Sequence, residues 1–206
     1  VLLHGGRLGR AENRTMVKLL KIPARSLDQR PIRTMQTDRY ALVDTQPGTG
    51  NNSFAHEHQR CHIVVDHHPR KGGTRADFVD IRPGQGTCTT MLLGYHQGLG
   101  LRMEPDLATA AVYAVISETQ DLEREATPDD RRAFQRLMPL VRLRALGRIR
   151  HPVHGREYYR TIARAMRHVL VSRHACICHI GSVHQPEMVA EIADFLIPMD
   201  RVSWVL

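Results

Sequence analysis

Short apolar runs separated by polar, glycine- and proline-rich stretches occupy the first part of the chain, and after residue 84 they give way to longer segments with helical spacing. Tyr40-Ala41-Leu42-Val43 and Ile63-Val64-Val65 are continuous and rich in branched side chains, as strands buried on both faces of a parallel sheet are. Asp77 to Ile81 reads as another strand, as do Val1 to Leu3, His174 to Ile180 and Val202 to Leu206. Gln46 to Gln59, with Pro47, Gly48, Gly50 and Asn51-Asn52, reads as loop. Helices are predicted over Ala11 to Leu20, from Thr87 to Gln97, over 105 to 118 where Pro105 and Asp106 suit a first turn, after the capping residue Thr127, from Gly155 to Val171, and from Pro186 to Leu196. Strands alternating with helices of this length predict an α/β fold. It would be a mostly parallel sheet flanked by helices on both faces, with the Arg-rich stretch 121 to 155 as a helical edge or insert.

Composition fits a folded domain: 42% of the 206 residues are apolar and 24% charged. The longest apolar stretch, Ala110 to Ile116, is far below the roughly 20 residues that span a bilayer, so no membrane partner is expected. Cys61, Cys88, Cys176 and Cys178 have no disulfide-framework spacing, which suits a reducing cytoplasm. The net charge of +8 fits a polyanionic partner. Arginine dominates it, 26 Arg against 3 Lys, and codon bias explains that ratio as well as phosphate recognition does.

Candidate chemistry gathers where strands end. The run at 40 to 43 finishes in Asp44, and the run at 63 to 65 finishes in Asp66-His67-His68. In open α/β sheets ligands collect at the carboxyl ends of the strands, so these four side chains are expected to face one crevice. The helix over 105 to 118 is apolar on nearly every face yet runs into Ser117-Glu118. A carboxylate buried there needs a cation or another partner, and a divalent ion beside the strand ends would serve. Alternatives are that Glu118 reaches solvent or pairs with Arg124, and Asp121 is a weaker candidate for the same role. Mixed imidazole and carboxylate donors suit Mn better than a thiophilic zinc site. Gly84-Gln85-Gly86-Thr87 before a helix reads as an ordinary turn, or as a phosphate cradle of backbone amides. His56-Glu57-His58 reads as solvated surface. The set His174, Cys176 and Cys178 reads as core, and the stripe Arg156, Arg160, Arg164 and Arg167 as a wet helix face.

Four ordered segments, Val43-Asp44-Thr45-Gln46-Pro47-Gly48, Val65-Asp66-His67-His68-Pro69, Gly86-Thr87-Cys88-Thr89-Thr90 and Ser117-Glu118-Thr119-Gln120-Asp121, together resemble the DHH phosphoesterases, and the likeness runs over nearly the whole chain. That resemblance implies a metal-dependent hydrolase using two divalent ions such as Mn. Asp44 would bridge both ions, and His67 and Glu118 would bind one. Asp66 would orient its neighbours, His68 would contact the substrate phosphate, and Gly86 and Thr87 would line the substrate site. The family's opening motif, a strand followed by two closely spaced aspartates and a Ser, is absent, as is the Gly-rich motif of its C-terminal substrate domain. Residues 1–200 are therefore expected to be a catalytic domain lacking its opening motif, and 201–206 the start of a strand or linker toward a substrate domain. The implied substrate is a small nucleotide or short oligonucleotide, with a homodimer left open. Inorganic pyrophosphate or polyphosphate hydrolysis, and an inactive nucleotide-binding module, are the alternatives.

Overall fold

The computed structural model describes residues 2–5, 8–27, 39–50, 52, 61–183 and 186–206. By contacts the chain divides into two compact units, one of residues 1–7 with 16–150 and the other of 8–15 with 151–206. The division passes through helix α1 (Ala11–Leu19). The fold is mixed α/β with parallel strand pairing.

In the first unit, strands β1 (Leu2–His4) and β2 (Ala24–Ser26) form a parallel pair. Strands β3 (Ala41–Val43), β4 (Ile63–Asp66) and β5 (Phe78–Ile81) form a parallel sheet with β4 central. Successive side chains of a strand point to opposite faces. Val64 accordingly packs with Leu42 and Cys61 on one side, while Val65 packs with Cys88 and Met91 on the other. Both faces of β4 are covered, which is why its sequence is apolar without alternation.

Helix α2 (Cys88–Gly98) starts at Thr87, whose hydroxyl accepts from the Thr90 amide. Helix α3 (Pro105–Glu118) runs through the largest core cluster, with Ala108, Ala111, Val112 and Ile116 against Leu93, Ala133, Leu137, Leu146 and Ile149. Helix α4 (Pro128–Leu137) has a full capping box made by Thr127 and Asp130, and a short 3-10 turn leads to α5 (Leu143–Arg150). These helices occupy the stretch 121 to 155 that the sequence assigned to a helical edge.

The second unit contains α6 (Arg156–Arg167), strands β6 (Val169–Ser172), β7 (Ala175–Cys178) and β8 (Trp204–Val205), and α7 (Glu187–Leu196). The sequence reading carried the helix to Val171. Instead α6 stops at Arg167, and Val169–Ser172 pairs antiparallel with Ala175–Cys178. The hairpin turns at Arg173 with φ of 54° and without the Gly or Asn that usually marks such a turn, so its signal was hidden. Cys176 lies in the core of this unit and Cys178 packs against it, whereas His174, read with them as core, is exposed. The His56-Glu57-His58 segment lies outside the described residues. No helix among the described residues is long and apolar enough to cross a membrane.

Candidate metal centre

The carboxyl ends of β3 and β4 lie side by side because the two strands are parallel and in register, Val43 opposite Val65. Asp44 follows β3 directly with φ of 63°, the left-handed region that Asp tolerates better than most residues. Its amide donates to the Val65 carbonyl at 2.9 Å, so the chain is still tied to β4 as it turns. The turn brings the Asp44 carboxylate beside the pair His67-His68. One ligand atom from each of Asp44, His67 and His68 lies within 4.8 Å of the others. Glu118, at the end of α3, reaches the same place: its Oε1 is 3.8 Å from His67 Nε2, and Asp44 Oδ1 is 3.2 Å from that nitrogen.

His67 is the centre of this group. Its ring is mostly buried, and Nδ1 lies 3.1 Å from the carbonyl oxygen of Gln85, to which it can only donate. Nε2 therefore points at the two carboxylates, and among the described residues it has no aligned hydrogen-bond partner. A buried imidazole nitrogen facing two carboxylates, with its other nitrogen fixed by a backbone carbonyl, is the arrangement found around metal-ligating histidines. The donor set is nitrogen and oxygen only, and it suits a hard or borderline divalent ion. With a proton in place of an ion, the Asp44 carboxylate holds the imidazole protonated up to about 9, burial opposing it and the Gln85 carbonyl assisting.

Asp66 has a different task. It is 1% exposed, and its Oδ1 accepts from the amides of His67 and His68 and from His68 Nδ1 at 2.8 Å, while Oδ2 accepts from Gln46 Nε2 at 2.7 Å. Burial pushes the carboxyl up, but the His68 and Gln46 hydrogen bonds outweigh it and hold Asp66 below the ordinary carboxylate range. His68 is exposed, and its Nδ1 is engaged by Asp66, which leaves Nε2 for a ligand.

Gln46 was missed as a functional residue. It is 1% exposed, although it sits in a stretch that reads as polar loop. Its Nε2 donates to Asp66 and to the Pro69 carbonyl, and its Oε1 accepts from the Lys71 amide and the Thr74 hydroxyl. All four sites of the amide are thus used. Pro47, Gly48, Gly50 and Asn51-Asn52 nearby signalled a loop and nothing about the amide.

Other readings change in the folded chain. Glu118 is half exposed, so burial does not fix its environment; its nearness to His67 does. Arg124 pairs with Glu125, not with Glu118. Asp121 makes two contacts of 2.8 Å with Arg150 Nη2, which engages its carboxylate. Gly86 and Thr87 are buried. The Thr87 hydroxyl caps α2 and donates to Asp130, and a Cβ added at Gly86 would collide with the Asp130 carboxylate and come within 2.6 Å of the Glu125 carbonyl. Cys88, behind the site, donates to the Val65 carbonyl, and burial pushes its thiol up to about 12, which removes it as a nucleophile.

No family model matches the chain. An uncharacterised protein of Methanocaldococcus jannaschii is 26% identical over 203 residues, 98% of this chain and 41% of that protein. The chain thus spans about two fifths of the length of the curated relative it matches. The crystal structure of an exopolyphosphatase-related protein from Bacteroides fragilis superposes with a TM-score of 0.68 at 8% identity, over 98% of this chain and 72% of the other. At that identity the likeness is one of fold, and it places the chain in the α/β architecture that the DHH resemblance implied.

Proposed function

We propose that this chain is the metal-binding core of a DHH-type phosphoesterase that hydrolyses a phosphodiester or phosphomonoester bond of a small nucleotide or short oligonucleotide. One observation carries the reading. Asp44, His67 and Glu118, from two strand ends and one helix end far apart in sequence, meet around Nε2 of His67. Asp44, His67 and Glu118 would hold Mn, with a second such ion in the complete enzyme. When bound, divalent ions supply charge stabilisation at a phosphoryl oxygen and a nucleophile at neutral pH.

The chain's own residues account for the rest. Gln85 holds the His67 ring so that Nε2 faces the centre. Asp66 grips the amides of both histidines and the ring of His68, so the turn cannot rotate the imidazoles away. His68 Nε2 is free to donate to a phosphate oxygen and to neutralise charge developing there. Asp44 presents one exposed carboxylate at the same edge.

A second reading, a phosphate- or nucleotide-binding module without turnover, is favoured by one fact. Among the described residues the clustered ligands make a single group, enough for one ion. The two readings part on one experiment. The full-length protein is assayed with Mn on a short oligonucleotide, a 3',5'-bisphosphate nucleotide and pyrophosphate, beside its Asp44→Ala variant. Mn-dependent release of nucleotide or phosphate that Asp44→Ala abolishes supports the phosphoesterase. Saturable binding without release supports the module, and release from pyrophosphate alone moves the substrate to inorganic chains.

A further inference from the structure

The carbonyl that fixes the His67 ring belongs to Gln85, in the turn between β5 and α2, and this turn has an anchor of its own. The Gln85 amide closes the turn on the Arg82 carbonyl at 2.9 Å. The Gln85 side chain points toward α4: its Nε2 donates to the Thr127 hydroxyl at 3.0 Å and to Asp130 Oδ1 at 3.3 Å. Asp130 has no exposed surface. It accepts from the Thr90 hydroxyl at 2.6 Å, the Thr87 hydroxyl at 3.1 Å, the Thr127 hydroxyl at 2.5 Å and the Thr127 amide at 2.8 Å. One carboxylate thus ties the start of α4 to the start of α2 and to the turn that carries the Gln85 carbonyl.

Capping does not explain all of this. The box at the start of α4 is complete with Thr127 and Asp130 alone, so the Gln85 side chain is surplus to it. Gly86 gives a second, separate sign. It takes no positive φ, so its lack of a side chain serves space: a Cβ there would collide with Asp130 and the Glu125 carbonyl. The peptide after Gln85 is therefore pressed against α4 and its preceding loop, which limits how far its carbonyl can swing.

We infer that Gln85 and Asp130 are positioning residues for His67, the buried carboxylate of Asp130 anchoring the Gln85 side chain so that the Gln85 carbonyl holds the imidazole with Nε2 toward Asp44 and Glu118. The inference rests on the reading of this centre as a metal site, and it deepens that reading. Partners that hold the far nitrogen of a ligating histidine commonly change metal affinity about 10- to 100-fold when removed.

The test uses Gln85→Met, which keeps the length of the side chain and removes its donors, and Gln85→Lys, whose ammonium can donate to the same hydroxyl and carboxylate. Thr127→Val removes the other end of the tether and serves if Gln85→Met fails to fold. Two quantities are read in the full-length protein: the protection of the His67 Nδ1–H in proton–nitrogen correlation spectra of the metal-free form, assigned with His67→Gln, and Mn affinity by calorimetry. Gln85→Met is expected to lose Nδ1–H protection and to weaken Mn binding by about tenfold or more, with Gln85→Lys restoring both toward the parent. A Gln85→Met protein with an unchanged Nδ1–H signal and Mn affinity within about twofold of the parent would overturn the positioning role, whatever its thermal stability. A parent that binds no Mn, with Nδ1–H protection still lost in Gln85→Met, would instead sink the metal reading while the tether stands.

Discussion

His67 and His68 are adjacent and chemically identical, yet their surroundings divide them. His67 is mostly buried with Nε2 facing Asp44 and Glu118, whereas His68 is exposed and hydrogen-bonded to Asp66. His67→Ala should therefore lower Mn occupancy more than tenfold, while His68→Ala keeps most of the metal and loses substrate affinity or turnover; elemental analysis beside an activity or binding assay reads the difference. Equal metal loss in both variants would remove the division of labour. The proton on His67 gives a second handle. Asp44 raises its folded value to about 9, above the unfolded value of roughly 6.5. In the metal-free chain this pairing stabilises the fold fully below about pH 6.5, and the contribution disappears as pH rises toward about 9. An ion must displace that proton, so Mn affinity should move the other way and rise roughly tenfold per unit up to about 9. Denaturation and calorimetric titrations between pH 6 and 10 check both signs, and His67→Gln should flatten both. The four side chains at the strand ends were legible in the sequence because a polar cluster after an apolar strand has few structural uses. Gln46 was not, since nothing local distinguishes a buried loop amide from a wet one.

At the scale of elements, legibility followed the strength of local signals. Helix α3 was readable to its ends because Pro105 and Asp106 open it and apolar residues fill it. Strand β6 was not: Val169 to Val171 continues the apolar side of α6, and only pairing with β7 decides in favour of a strand. The Asp130 node was half readable. Thr127 announced the cap, but the convergence of Thr87, Thr90 and Gln85 on the same carboxylate is tertiary. Burial pushes the Asp130 carboxyl up, and hydrogen bonds from Thr127, Thr90 and Thr87 outweigh it, so its folded value lies below the ordinary range. A depressed carboxylate stabilises the fold above its unfolded value near 3.9, and that stability is lost as pH falls through the lower folded value. Asp130→Ala should cost about 2 to 4 kcal/mol at neutral pH, from the lost cap and the donors left without a partner. It should also shift acid unfolding less steeply with pH than in the parent, as equilibrium denaturation from pH 2 to 7 would read. A cost below about 0.5 kcal/mol would show that the loop relaxes around the missing carboxylate.

At the scale of the molecule, every ligand of the candidate centre lies in the unit formed by residues 1–7 and 16–150. The resemblance asks for a second set of donors after an opening strand. Among the described residues the candidate ligands form one group, while phosphoryl transfer by two ions needs a second about 3.5 to 4 Å away to clamp the attacking and leaving oxygens. The 206-residue chain alone should take up one Mn per molecule, and weakly, because Asp44 and Glu118 are half exposed and pay for ordering with little desolvated attraction. It should bind phosphate compounds in a salt-dependent way, given its charge of +8, and release no product from them. Calorimetry gives the stoichiometry, and phosphate release on oligonucleotide, bisphosphate nucleotide and pyrophosphate gives the turnover. Two Mn per chain would mean that residues outside the described set complete the site. Robust turnover with one Mn would mean that Asp44, His67 and Glu118 act without a second ion, and that the mechanism taken from the resemblance does not apply to this chain.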